Sequence, residues 1–487
     1  MIKKIKNNKN GSMLVMVIVA TGIFMMMLMG QIGLAVLQQK LNKIHLQSAQ
    51  ALHIAEAGVN YYRWVLYHDH EEYCNKEACK NPGNGFPDYG PYGPYPYQDF
   101  EGNITGEYEL YITPPALNGS TIVTIKSVGW LSEHPNIKRT IEVQCGIPSW
   151  STYSNLTNEY VVYGNTAVTT GPVHSNTAVE HAGIALDMVT ASKPNYGTEL
   201  GVFQTSDPNW DGNDPPQNVP ISAIYQGGRE MGTQVGIISF SNLVIYAADL
   251  FKKATSSGIL FDPRDVGFYD EWSVPAERSC ISSTCDEGYH IRFISNNRFE
   301  LSKVSAVRAA CGSKPSYSIN TEGPPTIYNI PANGIIFVKN NVWVDGQVDN
   351  GAAGTRATIV AFKDPFATGL ANIIVNRSLL FTNYDGTDSI GLIAQNDFRI
   401  GMYSDNNLRI DASIIAVNGK KANEDYSACL GFRYNKLTVY GSQCSNLRPY
   451  TGNYNNREYN FDGHIMFSPP PHFPTTGQYT FISWEEK

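Results

Sequence analysis

The chain of 487 residues has little charge: 16% of it is Asp, Glu, Lys or Arg, and the formal net charge is −8. It therefore lacks the basic stripe that displaces counterions from nucleic acid, which argues against a nucleic-acid partner. Ser-His-Asp, HExxH and phosphate-loop patterns are missing too, so hydrolytic and nucleotide chemistry have no motif to rest on. Cysteines are few, eight in all. Tyr (29), Gly (43) and Pro (27) are abundant instead, the uncharged, turn-rich makeup of many all-β extracellular proteins.

From Ser12 to Gln39 there is no charged residue at all. As a helix that run is about 40 Å long, enough to cross a hydrocarbon core of about 30 Å. Lys3, Lys4, Lys6 and Lys9 precede it and only Lys40 and Lys43 follow closely, which places the N-terminus in the cytoplasm and the bulk on the outer face. A cleaved signal peptide has a shorter apolar region, about 7–15 residues. The helical pattern also continues past the run, so a retained single span is expected. From its last turn onward Leu37, Leu41, Ile44, Ser48, Ala51, Ala55, Gly58 and Tyr62 recur at helical spacings. This narrow stripe of mostly small residues admits the backbone of another helix, or packs on the chain's own β domain.

The charged leader ending at Gly11, the apolar helix directly after it and the AEAGVNYY stretch ending at Tyr62 resemble type IV pilin-like proteins, in particular the PilX-like minor pilins. The resemblance implies cleavage between Gly11 and Ser12 by a prepilin peptidase, packing of the helix with other pilin subunits, and contact with the inner-membrane assembly machinery. Major pilins place Phe or Met first and Glu fifth after the cut, where this chain has Ser12 and Met16. A buried Glu at membrane depth needs a partner, in that family a neighbour's terminal amine. Its absence points to a tip or initiating position, or to a protein that is never processed.

Short alternating runs between Gly106 and Cys145, separated by Pro-Pro, Asn-Gly and His-Pro-Asn, predict a small antiparallel meander. The Pro-, Gly- and Tyr-rich stretch from Pro82 to Phe100 reads as an irregular loop. Further on, IIFVKNNVWV from Ile335 aligns with GLIAQNDFRI from Gly391, and IIAVNG from Ile414 follows LIAQND from Leu392 at an offset of 22. Short strands at multiples of roughly 20 residues, punctuated by Asn and Gly, indicate a parallel β-helix, with a β-sandwich as the alternative. PilX-like surface proteins with β-helical regions show a similar arrangement, and the resemblance extends to the C-terminal segment. The expected fold class is α+β, mostly β: a long N-terminal transmembrane α-helix, a small antiparallel pilin-like sheet, then a right-handed parallel β-helix with an inserted subdomain. The boundaries are a basic leader at 1–11, the helix at 12–66, the pilin-like β domain at 67–145, first β-helix rungs at 146–192, a mixed α/β insertion at 193–330 containing an amphipathic helix near 240–259, β-helix at 331–450, and a Pro- and aromatic-rich tail at 451–487.

Few residues suggest chemistry. Asp207, Asn209 and Asp211 fit the opening of a calcium loop, but Asn218 stands where a bidentate Glu belongs, and an Asx-rich turn explains them as well. No other cofactor is expected. The cysteines pair locally as Cys74 with Cys79, Cys280 with Cys285 and Cys429 with Cys444, leaving Cys145 and Cys311; disulfides suit an exported chain better than zinc. Arg356, Arg377 and Arg399 are spaced as a ladder facing an anionic glycan would be, or as plain solvated residues. Asp345, Asp364, Asp397 and Asp411 are scattered, and His174 reads as a turn histidine. The reading is a non-enzymatic minor pilin-like surface protein with an assembly, tip or adhesion role and a surface glycan as candidate ligand. The alternatives are a membrane-tethered carbohydrate-active enzyme and a non-assembling cell-surface protein.

Overall fold

The computed structural model describes residues 10–79, 89–204, 220–240, 242–261, 288–309, 316–423 and 430–487. The chain divides into two compact units.

The first unit comprises residues 1–114, 123–145 and 481–487. Its helix α1 runs unbroken from Asn10 to His68, so it starts inside the expected leader and ends two residues beyond Leu66. Apart from half-buried Gly22, every residue from Met13 to Leu46 is exposed. From Gln47 one face is buried, through Ala51, Ile54, Ala55, Val59, Tyr62, Val65 and Leu66. That face packs on an antiparallel sheet in the order β1 (Tyr89–Gln98), β2 (Ile104–Thr113), β3 (Val123–Leu131), β4 (His134–Gly146) and the C-terminal strand Thr480–Glu486. Alternation in β2 and β3 sends Leu110, Ile112, Val123 and Ile125 inward, as the period-two pattern predicts. The approach to the helix is close. A Cβ on Gly129 of β3 would stand 2.4 Å from Ala55 N and 2.6 Å from Ala51 O. The small residues Ala51, Ala55 and Gly58 thus admit a strand of the chain's own sheet.

Two regions differ from the sequence reading. Tyr89–Gln98, expected as part of a loop, is strand β1, with register shifts at two of its Gly-Pro steps. It lies at the sheet edge, where prolines remove no needed donor. The C-terminal tail contributes a strand to the same sheet, clasped by Arg63 over the Phe481 ring at 4.4 Å and by the Arg139 to Glu486 ion pair.

The second unit comprises residues 115–122 and 146–480. Parallel ladders dominate it. In the longest, Leu260, Phe337, Val360, Ile393, Ile415, Cys444, Leu156, His174, Thr190 and Glu230 are successive neighbours. Their flanking residues, among them Ile336, Ile359, Leu392, Ile414 and Val173, point the other way into the main core. Phe337, Val360, Ile393 and Ile415 are covered by Ala247, Leu250 and Ala254 of the helix Asn242–Ser257, the amphipathic segment expected from sequence. The pairing of Leu392 with Ile414 is the offset of 22 read from the repeats. At one corner Asn396 Nδ2 donates to Asn372 Oδ1 at 3.0 Å and Asn372 Nδ2 to Asn341 Oδ1 at 3.3 Å, so the Asn punctuation is a hydrogen-bonded ladder.

The order of strands is not the order of the chain. The early strands Asn155–Thr157, Val173–Ser175 and Val189–Ala191 follow the late strand Tyr434–Ser445 in the ladder, and a seam joins Gln443–Ser445 to Asn155–Thr157. Strands at Arg229–Met231, Ile259–Phe261 and Gly288–Ser295, placed by the sequence reading in an insertion, join the same parallel system. Antiparallel pairing appears at one end, where Gly288–Ser295 and Arg298–Val307 form a hairpin extended by Ile319–Glu322 and Thr326–Asn329.

Candidate functional site

Two features stand out: the bare half of α1, and an ionic cluster in the terminal hairpin of the second unit. The bare half holds the uncharged run, and α1 is the one helix among the described residues long and apolar enough to cross a membrane. Gly11 and Ser12 lie within α1, and Met16 is exposed. Leu37, at the end of the run, and Leu41 and Ile44 beyond it remain exposed, so the stripe divides. Its lower part is uncovered and its upper part, from Ala51, is used by the sheet.

The ionic cluster centres on His290, 5% exposed. Its Nδ1 lies 2.7 Å from Glu322 Oε2 and its Nε2 3.0 Å from Asp345 Oδ2, while Arg292 Nε donates to Asp345 Oδ1 at 3.0 Å. Burial disfavours the charged ring, but hydrogen bonds and charges from Asp345 and Glu322 outweigh it and raise the His290 pKa above the ordinary histidine value. Burial also works against ionised Asp345, and is outweighed by His290 and Arg292, so that pKa is lowered. A cavity of about 130 Å³ adjoins, lined by Arg292, Glu300, Ser302 and Glu322 among others. Ser302 pairs with His290 across the hairpin. Both ring nitrogens are engaged by carboxylates, so the imidazole has no free nitrogen with which to activate that hydroxyl. The arrangement holds the His290 charge in place. Sequence reasoning missed it because its members come from strands 32 and 55 residues from His290.

The residues singled out from sequence are dispersed. Cys74 and Cys79 form a disulfide. Cys145 and Cys444 are buried thiols, and burial pushes the Cys145 thiol up to about 12. Cys280, Cys285, Cys311 and Cys429 lie outside the described residues, as do Asp207, Asn209 and Asp211. Among the described residues no group of three or more His, Cys, Asp or Glu could hold a metal ion. The arginines form no ladder. Arg356 is buried, its guanidinium donating to the carbonyls of Asn118 at 2.6 Å, Gly386 at 2.7 Å, Ser468 at 2.8 Å and Pro469 at 2.6 Å. Arg399, in a different ladder, pairs with Asp397 and lies over Tyr317. Asp345, Asp364, Asp397 and Asp411 each bind a different cation: respectively His290 with Arg292, Lys339, Arg399 and Arg409. His174 sits in a strand, its ring buried between Thr190 Oγ1 at 2.9 Å and Asn176 Oδ1 at 3.1 Å.

These features define a chain with a long N-terminal apolar helix, docked by its upper half on an antiparallel sheet, followed by mostly β structure. No known protein family and no curated protein matches it. Among solved structures it is similar to the competence-associated pilin ComZ from Thermus thermophilus, at 12% identity and a TM-score of 0.32, over 91% of this chain and 97% of that one. A likeness that distant carries no argument about function.

Proposed function

We propose that the protein is a pilin-like, membrane-anchored surface protein of a type IV pilus or pseudopilus, of the PilX-like minor kind, with an assembly, tip or adhesion role. The observation that carries this reading is the division of α1. A plain anchor needs about 20 apolar residues, whereas α1 spans 59 residues, its lower half bare and its upper half committed to a five-stranded sheet. Exposed Leu41 and Ile44 lie on the polar side of the span and call for neighbouring helices. In this reading the parallel ladders wind as a right-handed β-helix, the hand that parallel crossovers take in about 98% of cases, and display their surface outside the cell. The anionic-glycan ladder finds no support, since Arg356 is buried.

Cleavage at the leader tests the reading. Mass spectrometry of membrane-extracted protein is expected to give Ser12 as the first residue, and Gly11→Leu to block the cut. An intact Met1 on filament-associated protein overturns the pilin assignment and leaves the anchor standing.

A further inference from the structure

The seam of the second unit contains a feature that display does not need. Lys421 lies in the strand Lys421–Asn423 at a position paired with Phe398, and is 3% exposed. Its Nζ donates to Gln443 Oε1 and lies 4.7 Å from the Tyr459 ring centroid. A cavity of about 30 Å³ opens beside it, and Arg457, Asn155 and Tyr163 share its lining with Lys421, Gln443 and Tyr459. The walls come from both sides of the seam: Asn155 and Tyr163 from the early strands, the rest from strands almost 300 residues later. Two cationic side chains thus converge on one small chamber, and among the described residues no carboxylate lines it.

An ammonium withdrawn from water costs several kcal/mol unless something balances it. Burial, with the neighbouring Arg457 charge, lowers the Lys421 pKa to about 7, so in an empty chamber the amine is partly deprotonated at neutral pH. The polar side chains that line it are the ammonium, the guanidinium, two phenols and two carboxamides; the Gln443 oxygen accepts from Lys421, Arg457 Nη2 also donates to Thr166 Oγ1 at 3.3 Å, and Asn155 Nδ2 to Ser154 Oγ at 3.4 Å. Two positive charges with no carboxylate among the lining residues select an anion, and the volume selects a small one.

We propose that this cavity is a binding site for a chloride-sized monovalent inorganic anion, held by Lys421 and Arg457 and completed by Gln443, Asn155, Tyr163 and Tyr459. The bound anion ties the early strands to the late ones, because each side supplies part of the cage. The site is independent of the membrane helix and of the pilin reading.

The test uses the full chain in detergent, with sodium chloride compared against sodium gluconate at equal ionic strength, which separates site binding from screening. At pH 6 the melting temperature by circular dichroism is expected to be higher in chloride by about 2 °C or more, and the chloride NMR line to broaden. Both effects shrink at pH 9, where Lys421 has lost its proton. Lys421→Met is expected to abolish both effects and to melt higher than wild type in gluconate. Arg457→Gln, which retains the lysine, weakens the chloride effect and carries the test if Lys421→Met does not fold. Equal melting of wild type in the two salts, or a chloride effect undiminished in either variant, overturns the proposal and leaves water as the occupant.

Discussion

Single side chains in this protein act mostly by satisfying buried groups, and their removal is costly for that reason. Arg356→Ala strips a donor from four main-chain carbonyls contributed by Asn118, Gly386, Ser468 and Pro469. An unsatisfied buried acceptor costs about 1–3 kcal/mol, so chemical denaturation is expected to show a loss of about 3 kcal/mol or more, and Arg356→Lys, with one point charge in place of a fork, to recover only part of it. His290 gives a pH signature. Its folded pKa is raised, so its contribution is complete below the ordinary value of about 6.5 and is lost as pH rises through the folded value. Asp345 is lowered, so its contribution is present above about 4 and is lost as pH falls through the folded value. Stability from this cluster therefore peaks between those limits. His290→Gln is expected to flatten the alkaline side of the melting temperature against pH curve; an unchanged slope there would assign the curve to other groups.

At the scale of elements, the contact between α1 and β3 depends on residues with nothing to spare. A Cβ at Gly129 would collide with the α1 backbone, and one at Gly58 would stand 2.3 Å from Ser127 Oγ and 2.7 Å from the Tyr108 ring. Gly129→Val is accordingly expected to release the upper helix, seen as protease cutting between Gln47 and Leu66, while Gly22→Val, with open space around it, leaves cutting unchanged. The sequence announced this element well: absence of charge marked the bare half, and three-four spacing marked the buried face. It could not say what the small stripe packs against, because small residues permit close approach by either a helix or a strand. Alternation exposed β2 and β3 for the same reason that it exposes any half-buried strand. Strand β1 stayed hidden because proline removes donors, and only the finished sheet shows that those donors face an edge. The ionic cluster and the Lys421 chamber were illegible for a related reason. Each is assembled from distant strands, and periodicity reports which way a residue faces, never which residue faces it.

For the whole chain, the seam is the decisive feature. Leu392 and Ile414 pair at an offset of 22, whereas Leu156 and Cys444 are 288 positions apart. Loop closure is costlier and slower for the second kind of contact. In pulse-labelled refolding, amides of Ile359, Leu392 and Ile414 are expected to gain protection before those of Leu156 and His174; simultaneous protection would mean that the seam forms with the first ladder. Both units share this dependence on late residues. The strand Asn155–Thr157 waits for Gln443–Ser445, and β4 waits for Thr480–Glu486. In the nascent chain β1 to β4 can pair with one another early, but Asn155–Thr157 lacks its Gln443–Ser445 neighbour and β4 its Thr480–Glu486 neighbour until those residues are made. Chains halted near Asn435 should stay open to protease around Asn155 and along β4, so that limited proteolysis tells them apart from chains that extend through Glu486.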